Sequence, residues 1–260
     1  MQVTPKEQVA VFISRQIKNG QYVSLGTNLP IPSAGVLLAH LTHAPDLSLN
    51  ILSYFTNLSS IDYFEDLTQI ANPSVAKWAD SVMALETLIN SISRMDLCFV
   101  GGVQIDNYGN SNLIGVGQDP RQLKFRGPGP VGTSTIMSTV KKYFIFTNAL
   151  TPKVFVEKCD FISAVGWGNG GDDARRQLGL PGGGPEYVIT PQAILDFEEG
   201  TKRMRLKYVI PPATIEEVKG CVGFELVIPD SLEAFPELTA EEIEVLRNRV
   251  DRKGLLREGH

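Results

Sequence analysis

Histidine and cysteine, the side chains most used for metal and thiol chemistry, are scarce: three of each in 260 residues. Cys98, Cys159 and Cys221 form an odd, widely spaced set with no CxxC pair and no metal-ligand spacing. Cys98 and Cys159 lie in apolar runs and read as buried thiols. His40 and His43 stand three apart at the end of one helical segment, with no third ligand nearby, and His260 is the last residue. That arrangement points to a structural or helix-capping role and gives a serine-hydrolase triad little support. P-loop, HExxH and GxSxG patterns are missing from the sequence. The formal net charge of -5 carries no electrostatic footprint for nucleic acid. No apolar run approaches the roughly 20 residues that span a bilayer. The first residues read as a helix start rather than a leader, so the cytoplasm is the expected compartment.

What is present is ordinary for a globular chain: 43% hydrophobic and 20% charged residues. The length suits one large domain or two small ones, and without an internal repeat or a clean linker a single domain over 1–260 is expected. Thr4-Pro5-Lys6-Glu7 has the form of a capping box, followed by Val9, Phe12, Ile13 and Ile17 at helical spacing. Gln21 to Leu25 reads as a strand running into the loop Gly26-Thr27-Asn28. Pro32-Ser33 opens a second helix, and Ser48 to Phe55 is the next strand. This order predicts an α/β fold with an open, mostly parallel sheet and flanking helices, in which ligands bind beyond the carboxyl ends of strands. Further on, Ser81 to Ser93 has a helical pattern, and Met95–Val100, Tyr143–Thr147, Phe161–Val165, Met204–Ile210 and Phe224–Ile228 read as strands. Thr214 to Glu217 and Thr239 to Glu242 repeat the capping box.

The most informative stretch is Val100-Gly101-Gly102-Val103-Gln104-Ile105-Asp106-Asn107-Tyr108-Gly109-Asn110-Ser111-Asn112. A buried strand ends abruptly in a glycine pair, and two successive N–H groups there can face a developing oxyanion. The alternative is a plain turn into a surface hairpin. Gly127 to Gly132 matches GxGxxG, but prolines at 128 and 130 and a poor preceding strand remove the context of a dinucleotide site. Lys141-Lys142 and Lys202-Arg203-Met204-Arg205 are basic clusters, open to reading as phosphate contacts or as a solvated sheet edge.

Several stretches together resemble the β subunit of a class I coenzyme A transferase of the glutaconate type. They are Gln16 to Gly20 with Gly26-Thr27 and Leu29-Pro30, Ala44-Pro45-Asp46, Gly101 to Asp106 with Tyr108-Gly109-Asn110, Gly166-Trp167, Arg175 to Gly182, and Thr201 to Met204. The resemblance implies a CoA-transferase-like α/β fold, a separate α subunit of similar fold, and an active site where the two meet. It also implies that Gly101 and Gly102 supply donors near a thioester carbonyl. Gln104 would orient the acyl group or the loop, and Gly26, Thr27, Asn28 and Val103 would line the substrate cleft. Coenzyme A would arrive as part of the substrate, with no metal or redox cofactor.

One departure bears on mechanism. Transferases of this kind use a glutamate, at the end of the strand after the Ala-Pro-Asp stretch, to attack the thioester. Aligned on Ala44-Pro45-Asp46, that position is Leu52, and Leu47 to Ile61 contains no Asp or Glu. The loss points to relatives of the fold that hydrolyse a carbon–carbon bond in a cyclic β-keto acyl-CoA, or decarboxylate a branched unsaturated diacid acyl-CoA. Leu52, Tyr54 and Phe55 would then form a dry apolar wall. A true transferase with its glutamate elsewhere, and a silent scaffold subunit, are the competing expectations.

Overall fold

The computed structural model describes residues 2–26, 29–51, 55–57, 67, 73–130 and 132–258. The chain clusters into two compact units, Met1–Phe99 with Pro236–His260, and Val100–Phe235.

The first unit is built on parallel strands. Helix α1 (Pro5–Arg15) starts at the expected capping box, with Thr4 Oγ1 accepting from the Glu7 N–H and Glu7 returning to the Thr4 N–H. Strand β1 (Tyr22–Leu25), helix α2 (Pro30–Leu41) and strand β2 (Ser48–Ile51) follow. Strand β1 lies parallel to β2 on one side and to β5 (Leu97–Val100) on the other. All four residues of β5 are buried, as its unbroken apolar run requires in a parallel setting. Val9, Phe12, Ile13 and Ile17 of the predicted α1 face are buried too. Helix α2 crosses α1 closely at Gly35, where a Cβ would stand 2.6 Å from the Ala10 carbonyl oxygen.

The expected strand Ser48–Phe55 is two strands. Strand β2 ends at Ile51, and β3 (Phe55–Thr56) pairs back on it antiparallel, Ile51 with Phe55 and Asn50 with Thr56. The expected helix over 81–93 begins later for a similar reason. Ser81–Val82 is taken up as β4 against β3, leaving α3 over Leu85–Ser91.

The chain re-enters this unit at its end. Helix α7 (Ala240–Val245) starts at the Thr239 capping box, and the turn after it presents Arg247 to Glu7. The pair is buried and bidentate, at 2.6 and 2.8 Å. Burial is the largest influence on the Glu7 carboxyl and pushes its pKa up. The hydrogen bonds from Arg247 and the Thr4 N–H, with the charges of Arg247 and Arg257, outweigh it, and the net shift is downward from 4.5. Glu7 therefore contributes stability above about pH 4.5 that is lost as pH falls through its lower folded value. Glu7→Gln is expected to lower stability at neutral pH and to flatten that acid limb, read by urea denaturation from pH 7 to pH 3.

The second unit holds β10 (Lys142–Phe146) parallel to β11 (Pro185–Ile189), then β12 (Ala193–Phe197) and β13 (Met204–Val209) added antiparallel. Its helices are α4 (Thr133–Thr139), α5 (Ala174–Gln177) and α6 (Ile215–Gly220). Two short hairpins, β6 (Gln104–Ile105) with β7 (Ser111–Asn112) and β8 (Gly115–Val116) with β9 (Phe125–Arg126), stand apart from that sheet. The expected strands 161–165 and 224–228 reduce to single bridges, Ala164 to Ser111 and Val227 to Arg205. At the first of these, Ser111 and Ala164 exchange backbone bonds, and the Ser163 hydroxyl extends them by accepting from the Leu113 N–H and donating to the Ser111 carbonyl. The α/β architecture with parallel strands and flanking helices is that expected from the element order. Among the described residues no helix is long and apolar enough to cross a membrane.

Candidate active-site loop

Strand β5 delivers the chain into Gly101 and Gly102, both half-buried. Just beyond them the Val103 N–H donates to the Asn112 carbonyl at 2.7 Å. Neither glycine has a positive φ. Their use is close approach, and it differs between them. A Cβ on Gly102 would stand 2.9 Å from the Gln104 carbonyl oxygen and 3.1 Å from Ile105 Cγ1, whereas one on Gly101 meets only the Phe146 oxygen at 3.5 Å.

Behind these donors lies a closed polar network. Gln104 is buried, and its Oε1 accepts from Asn112 Nδ2 at 2.7 Å and from the Asp160 N–H at 3.0 Å. A backbone N–H can only donate, so it fixes the oxygen end of the amide inward. Asn112, fully buried, donates also to the Gly115 carbonyl, and its Oδ1 accepts from the N–H groups of Ile114 and Gly115. Gln104 thus holds the loop with its carbonyl. Val103, half-buried, is the side chain between the donors and this network.

The hairpin tip is held in the same manner. Asp106 Oδ1 accepts from the N–H groups of Tyr108 and Asn110, and Gly109 turns the chain at φ +69. Asn110 reaches across, its Oδ1 accepting from Gly166 and Gly168 and its Nδ2 donating to the Gly168 carbonyl. Burial raises the Asp106 pKa, the hydrogen bonds from Asn110 and Tyr108 offset part of that, and the charge of Glu157 adds to it. Burial pushes the Cys98 thiol up to about 12 and, with the charges of Asp106 and Asp160, raises Cys159 further. Neither is an available thiolate nucleophile.

A residue that sequence reasoning left without a role anchors the glycine-rich stretch after the hairpin. Arg175 is buried, and among the described residues it meets no carboxylate. Its Nε donates to the Gly182 carbonyl, Nη1 to Val165 and Gly166, and Nη2 to Met137 and Ser138, at 2.6 to 3.4 Å. Burial lowers its pKa, with Tyr143 opposing. The available signal was a lone arginine pair ahead of a run of glycines, which cannot pin itself by side chains. The basic cluster at 202–205 reads as a charged edge. Lys202 meets Asp172 at 2.7 Å, Arg203 meets Glu225 at 3.2 Å and Arg205 meets Asp196 at 2.8 Å.

In the other unit, β1 and β2 end in register, Leu25 beside Ile51, so the chain leaves both strands side by side. Gly26 follows β1 and is half-buried. Thr27, Asn28, Leu52 and Tyr54 lie outside the described residues, and of Phe55 only the backbone is described, in β3. Pro30 and Pro32 remove two N–H groups from the first turn of α2, which weakens that helix end as an anion site. His43 has the structural role expected of it, its Nε2 lying 3.1 Å from the carbonyls of Ser14 and Ile17.

These strand ends and the doubly keyed glycine loop belong to a known family. Residues 6–220 match Coenzyme A transferase, and the chain is a member of that family. It is 34% identical to one subunit of the glutaconate CoA-transferase of Acidaminococcus fermentans, over 95% of this chain and 92% of that protein. It is 32% identical to one subunit of the 3-oxoadipate CoA-transferase of Pseudomonas knackmussii, over 93% and 91%. A 24% identity, over 97% and 96%, relates it to the cholesterol ring-cleaving hydrolase IpdB subunit of Mycobacterium bovis. Among solved structures, glutaconate coenzyme A-transferase from A. fermentans superposes with a TM-score of 0.84 at 28% identity, covering 99% of this chain and 98% of that one. The decarboxylase AibA/AibB shares the fold, with a TM-score of 0.82 at 18% identity and 98% of both chains covered. Relatives of this chain thus include both transferases and a hydrolase.

Proposed function

We propose that this chain is the β subunit of a heteromeric acyl-CoA enzyme that cleaves a carbon–carbon bond, by hydrolysis or decarboxylation, without forming an enzyme-bound CoA thioester. The observation that carries the reading is a segment from Leu47 to Ile61 free of carboxylates, in which the family resemblance sets Leu52 at the position of the glutamate. Leucine has no atom that can attack a thioester.

The two favoured reactions converge on one species. Loss of carbon dioxide from a saturated carbon next to the thioester carbonyl or, in an unsaturated diacid, from the carbon one double bond further on, leaves an enolate on that carbonyl. Attack of water on a β-keto group, followed by cleavage of its bond to the carbon next to the thioester carbonyl, leaves an enolate there too; protonation at carbon completes either reaction. The Gly101 and Gly102 N–H groups are placed in this reading as donors to that oxygen, with Gln104 and Asn112 as positioning residues behind them. One such donor accounts for about 10²–10³ in rate in well-studied cases. This reading assigns Leu52, Tyr54 and Phe55, together with Gly26, Thr27, Asn28 and Val103, to the acyl pocket, where exclusion of water would strengthen the donors. The acid–base residue belongs to an α subunit, a partner suggested by relatives that are themselves named as single subunits of larger enzymes. Coenzyme A carried by the substrate is the sole cofactor, and the complex works in the cytoplasm.

A second reading, true CoA transfer, is favoured by the 34% and 32% identities to two proteins named as transferases. Acceptor dependence separates the two. The assembled complex, given an acyl-CoA and an isotopically labelled free carboxylate, is expected to release products without moving CoA to the label. CoA appearing on the labelled acid establishes transfer.

A further inference from the structure

A CoA substrate brings three phosphate groups, and an acidic chain must offset them somewhere. In the unit that carries the glycine loop, most basic side chains are already engaged. Lys142 meets Glu186, Arg176 meets Asp173, Lys202 meets Asp172, Arg203 meets Glu225, Arg205 and Lys207 meet Asp196, and Lys219 meets Glu216. Arg175 is surrounded by carbonyls.

Among the described residues Lys153 and Lys158 are exposed without an ion pair, but they stand singly; the β8–β9 hairpin groups three such cations. It carries Arg121, Lys124 and Arg126, all exposed, and among the described residues none of the three side chains meets a carboxylate. The one acidic residue between Gly115 and Gly127 is Asp119, whose Oδ1 accepts the Arg121 N–H at 2.9 Å. Lys124, at the bend just before β9, donates its N–H to the Val116 carbonyl at 2.8 Å, and Arg126 lies two residues on in β9.

The hairpin is also tied to the reaction loop. Asn112, which holds Gln104, donates to the Gly115 carbonyl and accepts the Gly115 N–H, and the Gly127 N–H donates to the Ile114 carbonyl. A nucleotide subsite must stand off from the thioester by the length of the pantetheine arm, on an element that keeps its place relative to the donors. This hairpin has its base on the donor network, where Arg126 pairs with Gly115, and Lys124 and Arg121 lie further along it.

We propose that Arg121, Lys124 and Arg126 bind the nucleotide phosphates of coenzyme A. The proposal rests on the acyl-CoA reading above. Guanidinium and ammonium groups that meet no carboxylate among the described residues have no ion pair there to lose on meeting phosphate, and Arg can bind it with two parallel hydrogen bonds.

The test is titration of CoA, and separately of adenosine 3′,5′-bisphosphate, into the assembled complex. The Lys124→Gln/Arg126→Gln variant is expected to raise both Kd values by about tenfold or more and to flatten their salt dependence. Arg176→Gln, which removes a cation already paired with Asp173 in the same unit, is expected to leave them within about twofold. Unchanged Kd values in the double variant overturn the proposal and leave the acyl-CoA reading standing. A wild-type complex that binds no CoA overturns that reading, and the proposal with it. A double variant that no longer assembles with its partner places the hairpin in the subunit interface and likewise overturns the proposal.

Discussion

Arg175→Met is expected to lower the unfolding free energy by roughly 3–5 kcal/mol, one of the two largest effects foreseen for a single substitution in this chain. The guanidinium is buried, and its five N–H groups reach five carbonyls, from Met137, Ser138, Val165, Gly166 and Gly182. Methionine fills similar volume and avoids burying a charge, which recovers part of the desolvation cost. It offers no donor, however, and each carbonyl left buried and unpaired costs about 1–3 kcal/mol. Arg175→Lys is expected to fall between, because an ammonium has three donors and lacks the planar fork. Urea denaturation of the three proteins measures this order. A Met variant within about 1 kcal/mol of wild type would mean that water or backbone shifts satisfy those carbonyls.

Gly102→Ala is expected to lower kcat by about 10² and to lower stability as well, while Gly101→Ala stays near wild type in both. Alanine keeps the N–H at either position, so the contrast isolates geometry from chemistry. At Gly102 the added methyl meets the Gln104 carbonyl oxygen at 2.9 Å and Ile105 Cγ1 at 3.1 Å, and the loop must move to admit it. At Gly101 the nearest atom is at 3.5 Å, an ordinary contact. A displacement of the donors is felt most when charge is greatest on the oxygen, so kcat falls rather than KM rising alone. Equal activity in both variants would remove the loop from the reaction.

The features legible in the sequence were local ones. The three capping boxes at Thr4, Thr214 and Thr239 all form, because Thr and Glu three apart satisfy each other's N–H groups without help from the rest of the chain. The buried strand into Gly101 was equally clear from its apolar run. The use of the glycines was legible only in part. Positive φ was available to them, but crowding at Gly102 depends on the hairpin folding back, which no local pattern encodes. Gln104 could face either substrate or loop, and the decision came from Asp160, fifty-six positions later. Arg175 was invisible for the same reason, since its carbonyl partners are drawn from three separate segments. The antiparallel return at Phe55 was hidden because Leu49 to Phe55 carries no glycine or proline to mark a break after β2.

The central claim is that Leu52 marks chemistry without an enzyme–CoA thioester. Its most direct test is borohydride treatment of the assembled complex, with and without an acyl-CoA that it turns over. Borohydride reduces a thioester formed on an enzyme carboxylate and destroys that residue for further cycles. The expected result is that activity survives equally in both samples. Inactivation that appears only when substrate is present would contradict the claim and require a carboxylate nucleophile elsewhere in the complex.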